Sequence, residues 1–452
     1  MPVRKFLSRI HAKLGDLWWY TILLFVAQRF GDVINMFVGL WIVPKYVPME
    51  ELGAVLPLTS VVSLIGIPLS IVAIPFLKFI AVFSERSEMG KVKALIRDAF
   101  VGTAILASAS CLLAWMILPF FFERLRIQNG SLAMLLVAIT IAGSVASIFT
   151  SAMDGLKKFR VLVWFQAISA PIRLLLMIVF MPFRALSGYV VGQSATPLTY
   201  IVGSVLALRK FLCSDVKAVP YWHEHGREML AYTWPLVASA LVGAITGNMD
   251  TLVIRHRLPE FESAGYYIIT RFSEISVWVG AAFTAFLFPM LAGKDGHDER
   301  SRKMLLHSVS GTAVVGLLLS VVLWLCGRRI LGLRPEWSPY ANLSTEMALF
   351  AVNGMLAMMA TCFVATLTAR GRFAFFLYYL PLVFCKSAFL YVLTGYGFFD
   401  GILPADWLDL IADFNPCRLI VVAVYMVASQ CLVVGVLAVG TNVDVRGAGN
   451  AM

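Results

Sequence analysis

The sequence predicts an all-α polytopic membrane protein of about twelve transmembrane helices, arranged as two pseudo-repeated six-helix bundles around a central cavity. The composition, the length of the apolar segments and an internal repeat support this fold class. Apolar residues make up 60% of the 452-residue chain, charged residues make up 14%, and the mean hydropathy is +0.83. A soluble core does not need that much apolar sequence, so the composition indicates an integral membrane protein.

Apolar segments long enough to cross ~30 Å of hydrocarbon recur along the whole chain, and no linker between them is long enough to form a separate soluble domain. The predicted spans are 18–43, 52–77, 99–122, 132–154, 161–182, 188–208, 232–254, 264–291, 305–326, 343–368, 373–395 and 417–440. The predicted domains are a cytoplasmic amphipathic lead-in at 1–17, an N-terminal bundle at 18–208, a cytoplasmic inter-bundle loop at 209–231, a C-terminal bundle at 232–440 and a cytoplasmic tail at 441–452.

The distribution of Lys and Arg predicts the orientation. Most of the 37 basic residues fall in segments that are cytoplasmic if the N-terminus is cytoplasmic, which also places the C-terminus there. The net charge of +11 therefore indicates a positive-inside topology and not nucleic-acid binding. The lead-in carries Phe6, Ile10, Leu14 and Leu17 at helical spacing among basic residues, which is typical of a segment lying on membrane lipids.

Metal, disulfide and cofactor chemistry have no support in the residue spacing. The seven Cys residues are scattered, mostly within spans, and none forms a C-x-x-C motif. His223 and His225 form an H-x-H without acidic or thiol partners at ligand spacing, which favours a solvated loop. We therefore expect no metal site and no cofactor.

A pattern of Asn, Gly and Pro occurs twice, near the first two spans and near the seventh and eighth, at nearly equal intervals. Tandem six-helix halves are typical of transporters, with the binding site near the membrane midplane between the halves. Coincidence among apolar hairpins is the alternative, but Asn, Gly and Pro do not recur through hydrophobicity alone. The matched residues are Asn35, Gly53 and Pro75 in the first half, and Asn248, Gly265 and Pro289 in the second.

Four basic side chains lie inside predicted spans, namely Arg29, Arg173, Arg271 and Lys386. A cation at mid-bilayer costs a few kcal/mol or more, so these residues indicate a polar cavity that holds an anion. Arg173 and Lys386 both lie near the middle of the fifth helix of their half. Neither has an acidic residue within one helical turn along the chain, which makes them the stronger candidates for an anion site.

Acidic residues follow the other two cations at a spacing of three, as Asp32 after Arg29 and Glu274 after Arg271, so each pair shares one helix side. The alternative is that the charges form structural salt bridges, for example between Asp250 and Arg29 or Arg173. Asp154 lies at a span end, where it can reach the interface, and we expect little from it. The predicted polar or coupling residues of the cavity are Gln28, Asp32, Asn35, Asn248, Asp250 and Glu274.

The sequence resembles the polysaccharide-transporter branch of the multidrug/oligosaccharidyl-lipid/polysaccharide flippase superfamily. The resemblance lies in residues 53–81, 154–182 and 248–267 and in FLFPML at 286–291. It implies a flippase that works by alternating access in a bacterial inner membrane. Its substrate would be a polyprenyl-diphosphate-linked oligosaccharide for O-antigen or exopolysaccharide synthesis, and its partner a polysaccharide polymerase machinery. Members with fourteen helices also exist, and this chain lacks the extra pair.

Under this resemblance the chain is a transporter and not an enzyme. Arg suits a diphosphate because its planar guanidinium binds two oxygens and stays charged. One alternative is a multidrug exporter of the same superfamily, coupled to H⁺ or Na⁺ through Asp32, Asp250 or Glu274. Another is a membrane glycan polymerase or ligase with catalytic acids in the outer loop at 396–416, although no nucleophile constellation or phosphate-binding Gly loop is present.

Overall fold

The structure is a computed structural model, and it describes residues 23–71, 73–127, 131–213, 217–291, 299–369, 374–394 and 418–449. Within these ranges every regular element is a helix. The predicted lead-in at 1–17 and the outer loop at 396–416 lie outside the described residues.

Short connections join consecutive helices as far as Leu393, and 24 residues lie between Leu393 and Arg418. In the first half of the chain they are α1 (Leu23–Tyr46), α2 (Met49–Leu52), α3 (Val55–Ile71), α4 (Ala73–Glu85), α5 (Met89–Arg124), α6 (Ser131–Gly155), α7 (Phe159–Gln193) and α8 (Ala195–Leu212). In the second half they are α9 (Trp222–Arg257), α10 (Glu260–Leu291), α11 (Glu299–Leu331), α12 (Ser344–Ala369), α13 (Phe376–Leu393) and α14 (Arg418–Gly449).

Nine helical segments of the described chain are long and apolar enough to cross a membrane. They coincide with all predicted spans except 232–254 and 264–291, and predicted spans five and six share the segment Phe159–Arg209. The two remaining spans lie inside the long helices α9 and α10. The predicted all-α polytopic class is therefore confirmed.

Helix α7 bends between predicted spans five and six. Arg184 and Ala185 have non-helical backbone dihedrals, directly after Pro182. Proline removes a helical hydrogen bond and clashes with the preceding turn, so a bend at this point has a local cause in the sequence. The bend separates residues 159–183 from the segment that leads into α8.

Helix α9 begins at Trp222. Residues 222–231 are therefore helical, whereas the sequence predicted a loop over 209–231. The first turn of α9 and the residues just before it contact α5. Val219 N donates to Gly90 O at 3.1 Å, and Lys91 Nζ lies 2.5 Å from Glu224 Oε2. The Lys91 ammonium lowers the pKa of the Glu224 carboxyl. A hydrophobicity pattern does not report such ion pairs, which explains the error.

The chain divides into two compact units. Unit 1 contains residues 1–48 and 58–244, and unit 2 contains residues 49–57 and 245–452. The core of unit 1 is formed by buried apolar side chains of α4, α5, α6 and α7, among them Phe76, Phe79, Phe83, Ile96 and Ile148. The predicted boundaries of the two bundles stay a prediction.

In unit 2, helices α10, α11, α12 and α14 pack around one another, and residues 49–57 pack against α10. The fully buried Arg255 donates from Nη2 to Glu50 O at 2.9 Å, and Ser263 Oγ donates to Gly53 O at 3.3 Å. These hydrogen bonds fix the short helix α2 within unit 2.

Replacing Gly53 with Ala should destabilise unit 2. A Cβ atom at residue 53 would lie 2.9 Å from the carbonyl carbon of Ser263, and backbone cannot move aside cheaply. Overpacking of this kind costs about 1–3 kcal/mol. The matched control is Gly102→Ala on α5, where nothing lies within 4 Å of the new atom. Thermal unfolding of the purified protein should show a lower midpoint for Gly53→Ala only, and equal midpoints would contradict the close contact.

Candidate functional site

Arg29 and Asp32 form an ion pair on one side of α1. The distance between Arg29 Nη1 and Asp32 Oδ2 is 3.0 Å, and the two side chains are 26% and 21% exposed. The guanidinium also lies over the ring of Phe25, 5.2 Å from its centroid. The predicted pairing at a spacing of three is therefore present, and part of each group stays accessible.

Arg173 on α7 joins this pair through tertiary packing. Gly31 on α1 faces Ala170 on α7, so the two helices approach closely one turn before Arg173. Arg173 interacts electrostatically with Asp32. Arg173 has no acidic neighbour within one turn of α7, as predicted, but Asp32 on α1 lies near enough to interact with it.

The side-chain amide of Gln193 accepts a hydrogen bond from Arg173 across the bend of α7. Arg173 Nη1 donates to Gln193 Oε1 at 3.4 Å, and Gln193 Nε2 donates to the Tyr189 hydroxyl at 2.7 Å. The amide therefore orients the guanidinium without neutralising it.

Three charged side chains of unit 1 gather between α1 and α7. The guanidinium groups of Arg29 and Arg173 both interact electrostatically with the carboxylate of Asp32. We call the three residues the α1–α7 cluster. Guanidinium groups bind anions by charge-assisted hydrogen bonds, so this partly exposed cluster is a candidate anion site.

Lys386 in unit 2 has an amide partner as well. Its Nζ donates to Gln430 Oε1 on α14 at 2.6 Å, and Tyr425 OH donates to the Lys386 backbone carbonyl at 2.7 Å. Gln430 is only 1% exposed. The lysine is thus held on α14 by a neutral group, as Arg173 is held by Gln193.

Asp250 on α9 balances the charge of Lys386, because the two residues interact electrostatically. The Asp250 carboxylate accepts hydrogen bonds from Tyr266 OH at 2.8 Å and from Thr251 N at 2.9 Å. We call Asp250, Tyr266, Lys386 and Gln430 the α9–α13 cluster. In this cluster Lys386 interacts with an acid from another helix. The spacing along the chain had suggested a free cation, and Lys386 is not one.

Arg271 and Glu274 form the second predicted pair along one helix. Arg271 Nη1 lies 2.9 Å from Glu274 Oε1 and 3.0 Å from Oε2, and the guanidinium lies 5.2 Å from the Tyr267 ring centroid. Both charges of the pair are used locally. This geometry favours the structural alternative for Arg271.

The other predicted polar residues lie near these clusters along the chain. Gln28 is exposed and Asn35 is half-buried on α1, and the Asn248 carbonyl on α9 accepts a hydrogen bond from Thr251 Oγ1 at 2.8 Å. The assignment of all ten residues to substrate binding or coupling stays a prediction.

The two clusters resemble each other, although the sequence did not indicate how they are completed. In each, an acid from the first or seventh span faces a cation from the fifth or eleventh, and a glutamine side chain accepts a hydrogen bond from that cation. Neither Gln193 nor Gln430 was among the predicted site residues. Their signal was an amide within an apolar span.

Candidate metal ligands do not gather in the described ranges, where no group of three or more His, Cys, Asp or Glu side chains could hold an ion. His225 instead packs on the Phe83 ring, at a centroid distance of 5.2 Å.

Comparison with known proteins identifies the fold. No protein-family model and no curated protein matches the chain. Among solved structures, an inward-facing multidrug resistance MATE family transporter of the MOP superfamily is 14% identical, with a TM-score of 0.68 over 94% of this chain and 95% of that one. The lipid II flippase MurJ is 12% identical, with a TM-score of 0.60 over 94% and 87%.

A third solved structure, of a MOP superfamily transporter from Pyrococcus furiosus, has a binding pocket described as having reverse polarity. It is 12% identical, with a TM-score of 0.52 over 97% of this chain and 98% of that one. At these identities the likeness shows the fold alone. The chain is a multi-pass helical membrane protein with the fold of the MOP superfamily transporters.

Proposed function

We propose that this protein is a flippase for polyprenyl-diphosphate-linked oligosaccharides. It moves them from the inner to the outer leaflet of a bacterial inner membrane by alternating access, for cell-surface polysaccharide synthesis. Both termini are cytoplasmic in this proposal, and a polysaccharide polymerase machinery receives the product. The substrate needs a polar path because its diphosphate and sugars cannot cross bare hydrocarbon at a useful rate.

The observation that carries the proposal is the presence of two guanidinium groups, those of Arg29 and Arg173, in the partly exposed α1–α7 cluster. Its two guanidinium groups face one carboxylate, and the Gln193 amide accepts from one of them without removing charge. A diphosphate supplies several anionic oxygens, which can bind both guanidinium groups by charge-assisted hydrogen bonds.

Lys386 extends the proposal to unit 2. Because Asp250 balances it, the α9–α13 cluster is neutral in ordinary ionisation states. Protonation of Asp250, or movement of either helix, would release the lysine for an anion. This supports a cycle in which the anion site of unit 2 forms only in part of the transport cycle.

An ion-coupled multidrug exporter is the second candidate function. The carboxylates Asp32 and Asp250 lie within the clusters, where they are able to exchange a proton or bind Na⁺. The fold is that of MATE transporters as well as of a flippase. In this candidate the carboxylates recognise the cargo or the coupling ion, and the basic residues only pair with them.

Transport by the purified protein in liposomes separates the two candidates. The probes are fluorescent undecaprenyl-diphosphate-linked N-acetylglucosamine and ethidium, with the proton and sodium gradients collapsed separately. We expect the glycolipid to change leaflet in a protein-dependent manner and ethidium to stay where it is. Ethidium transport driven by either gradient, with no movement of the glycolipid, would replace the flippase with a drug exporter.

A further inference from the structure

A cavity of about 410 Å³ lies within unit 1, formed by α1, α6, α7 and α8. Its apolar wall includes Leu24, Leu162 and Pro197. Its polar wall is formed by Ser147, Thr150, Asp154, Gln166, Thr196 and Tyr200. The volume is that of a pocket for a small organic molecule and is far larger than a bare ion requires.

Hydrogen bonds within the wall determine what a ligand must offer. Ser147 Oγ donates to Ser144 O at 2.7 Å, and Thr150 Oγ1 donates to Ser147 O at 2.9 Å. Their hydrogens are therefore used inside α6, and only oxygen lone pairs are left for a ligand.

The other residues of the polar wall add further acceptors and one donor. The Tyr200 hydroxyl donates to Gln166 Oε1, which leaves the tyrosine oxygen as an acceptor and the Gln166 Nε2 group as a donor. The ionised carboxylate of Asp154 has no donor and acts only as an acceptor. A ligand that donates several hydrogen bonds and accepts a few would fit this wall.

Asp154 is the charged member of the wall, and the basic residues that follow it are engaged elsewhere. Lys157 Nζ pairs with Glu85 Oε1 at 2.8 Å, and Lys158 Nζ donates to Ala207 O at 3.0 Å. Among the described residues no Lys or Arg forms an ion pair with Asp154. The carboxylate is half-buried and faces the cavity.

We propose that this cavity binds one sugar unit of the lipid-linked glycan. A sugar offers several hydroxyl donors to the serine, threonine, tyrosine and aspartate oxygens, and its apolar ring face suits the wall of Leu24, Leu162 and Pro197. The inference rests on the proposed flippase function and adds a subsite that recognises the glycan separately from the diphosphate.

The spacing along α7 fits a substrate that occupies both sites. Gln166 and Arg173 are seven residues apart, so they lie on nearly the same helix side, about 10 Å apart along the axis. A sugar next to a diphosphate lies within this reach. The sugar would then lie on the predicted cytoplasmic side of the diphosphate, as it does in a lipid-linked glycan in the inner leaflet.

Calorimetric titration of the full-length protein in detergent tests the subsite. The probes are undecaprenyl diphosphate alone and undecaprenyl diphosphate bearing glucose, galactose or N-acetylglucosamine. We expect at least one glycosylated probe to bind about tenfold or more tightly than the unglycosylated one. Asp154→Asn and the isosteric Thr150→Val should each remove most of this difference while leaving the affinity for undecaprenyl diphosphate within about twofold.

The control is Asp98→Asn, which removes an exposed carboxylate of α5 that pairs with Arg97. It should keep the preference for the glycosylated probe. Equal affinity for all four probes, or a preference that Asp154→Asn leaves intact, would overturn the sugar subsite. Loss of ethidium or Na⁺ binding in Asp154→Asn with an unchanged sugar preference would assign the cavity to cations. Failure of every diphosphate probe to bind would instead reject the proposed function itself.

Discussion

Replacing Arg173 with Gln should lower glycan export to the level of cells without the protein, while the amount of protein in the membrane stays normal. The substitution removes one of the two guanidinium groups of the α1–α7 cluster that would bind the diphosphate. A hydrogen bond to a charged group contributes about 1.5–3 kcal/mol, which corresponds to roughly a ten- to hundredfold loss of affinity for the diphosphate. Surface polysaccharide measured per cell reports the effect.

Three further variants test whether the loss of export is specific to the Arg173 guanidinium. Arg173→Lys keeps the charge but loses the planar fork, so it should export at an intermediate level. Arg160→Gln removes an exposed arginine at the start of the same helix and should export normally. The double variant Arg173→Gln/Lys386→Gln should be inactive. Full export by that double variant would show that neither cation binds the substrate.

Removing the charge of either Asp250 or Lys386 should destabilise the protein, because the two side chains interact electrostatically within unit 2 and the remaining charge loses that interaction. Lys386→Gln leaves the carboxylate of Asp250, and Asp250→Asn leaves the ammonium of Lys386. The double variant Asp250→Asn/Lys386→Gln removes both charges and should recover most of the loss. The midpoint of thermal unfolding of each purified variant measures this.

The control for this cycle is the half-exposed pair of Arg334 and Glu336, at 3.1 Å in the same unit. Exposed ion pairs contribute about 0–1 kcal/mol, so Arg334→Gln should change the unfolding midpoint little. If the effects of Asp250→Asn and Lys386→Gln simply added in the double variant, the two groups would not interact and the neutral α9–α13 cluster would be wrong.

Features with a local cause were predictable from the sequence. Apolar segments gave the helices, and a spacing of three residues gave the pairs Arg29–Asp32 and Arg271–Glu274. The interval between predicted spans five and six coincides with the bend at Arg184 and Ala185. Each of these depends on residues close together along the chain.

Features that depend on how separate helices are rotated against one another were not predictable. Asp32 interacts electrostatically with Arg173, and Asp250 with Lys386, across sequence separations that periodicity does not report. Asp154 was placed at a span end and given little weight, because a cavity formed by four helices leaves no pattern in any one of them.

The repeat takes a more specific form in the structure than in the sequence. The sequence matched Asn, Gly and Pro residues, whereas the structure matches two clusters of acid, cation and amide. In each cluster the cation lies near an acid from another helix.

The leaflet location of the lipid-linked glycan in cells that lack this protein tests flipping most directly. The account predicts that the glycan accumulates in the inner leaflet, and that the intact protein relieves this accumulation whereas Arg173→Gln does not. A glycan that reached the outer leaflet normally without the protein would contradict the account. If that glycan also stayed unpolymerised, the protein would act after flipping.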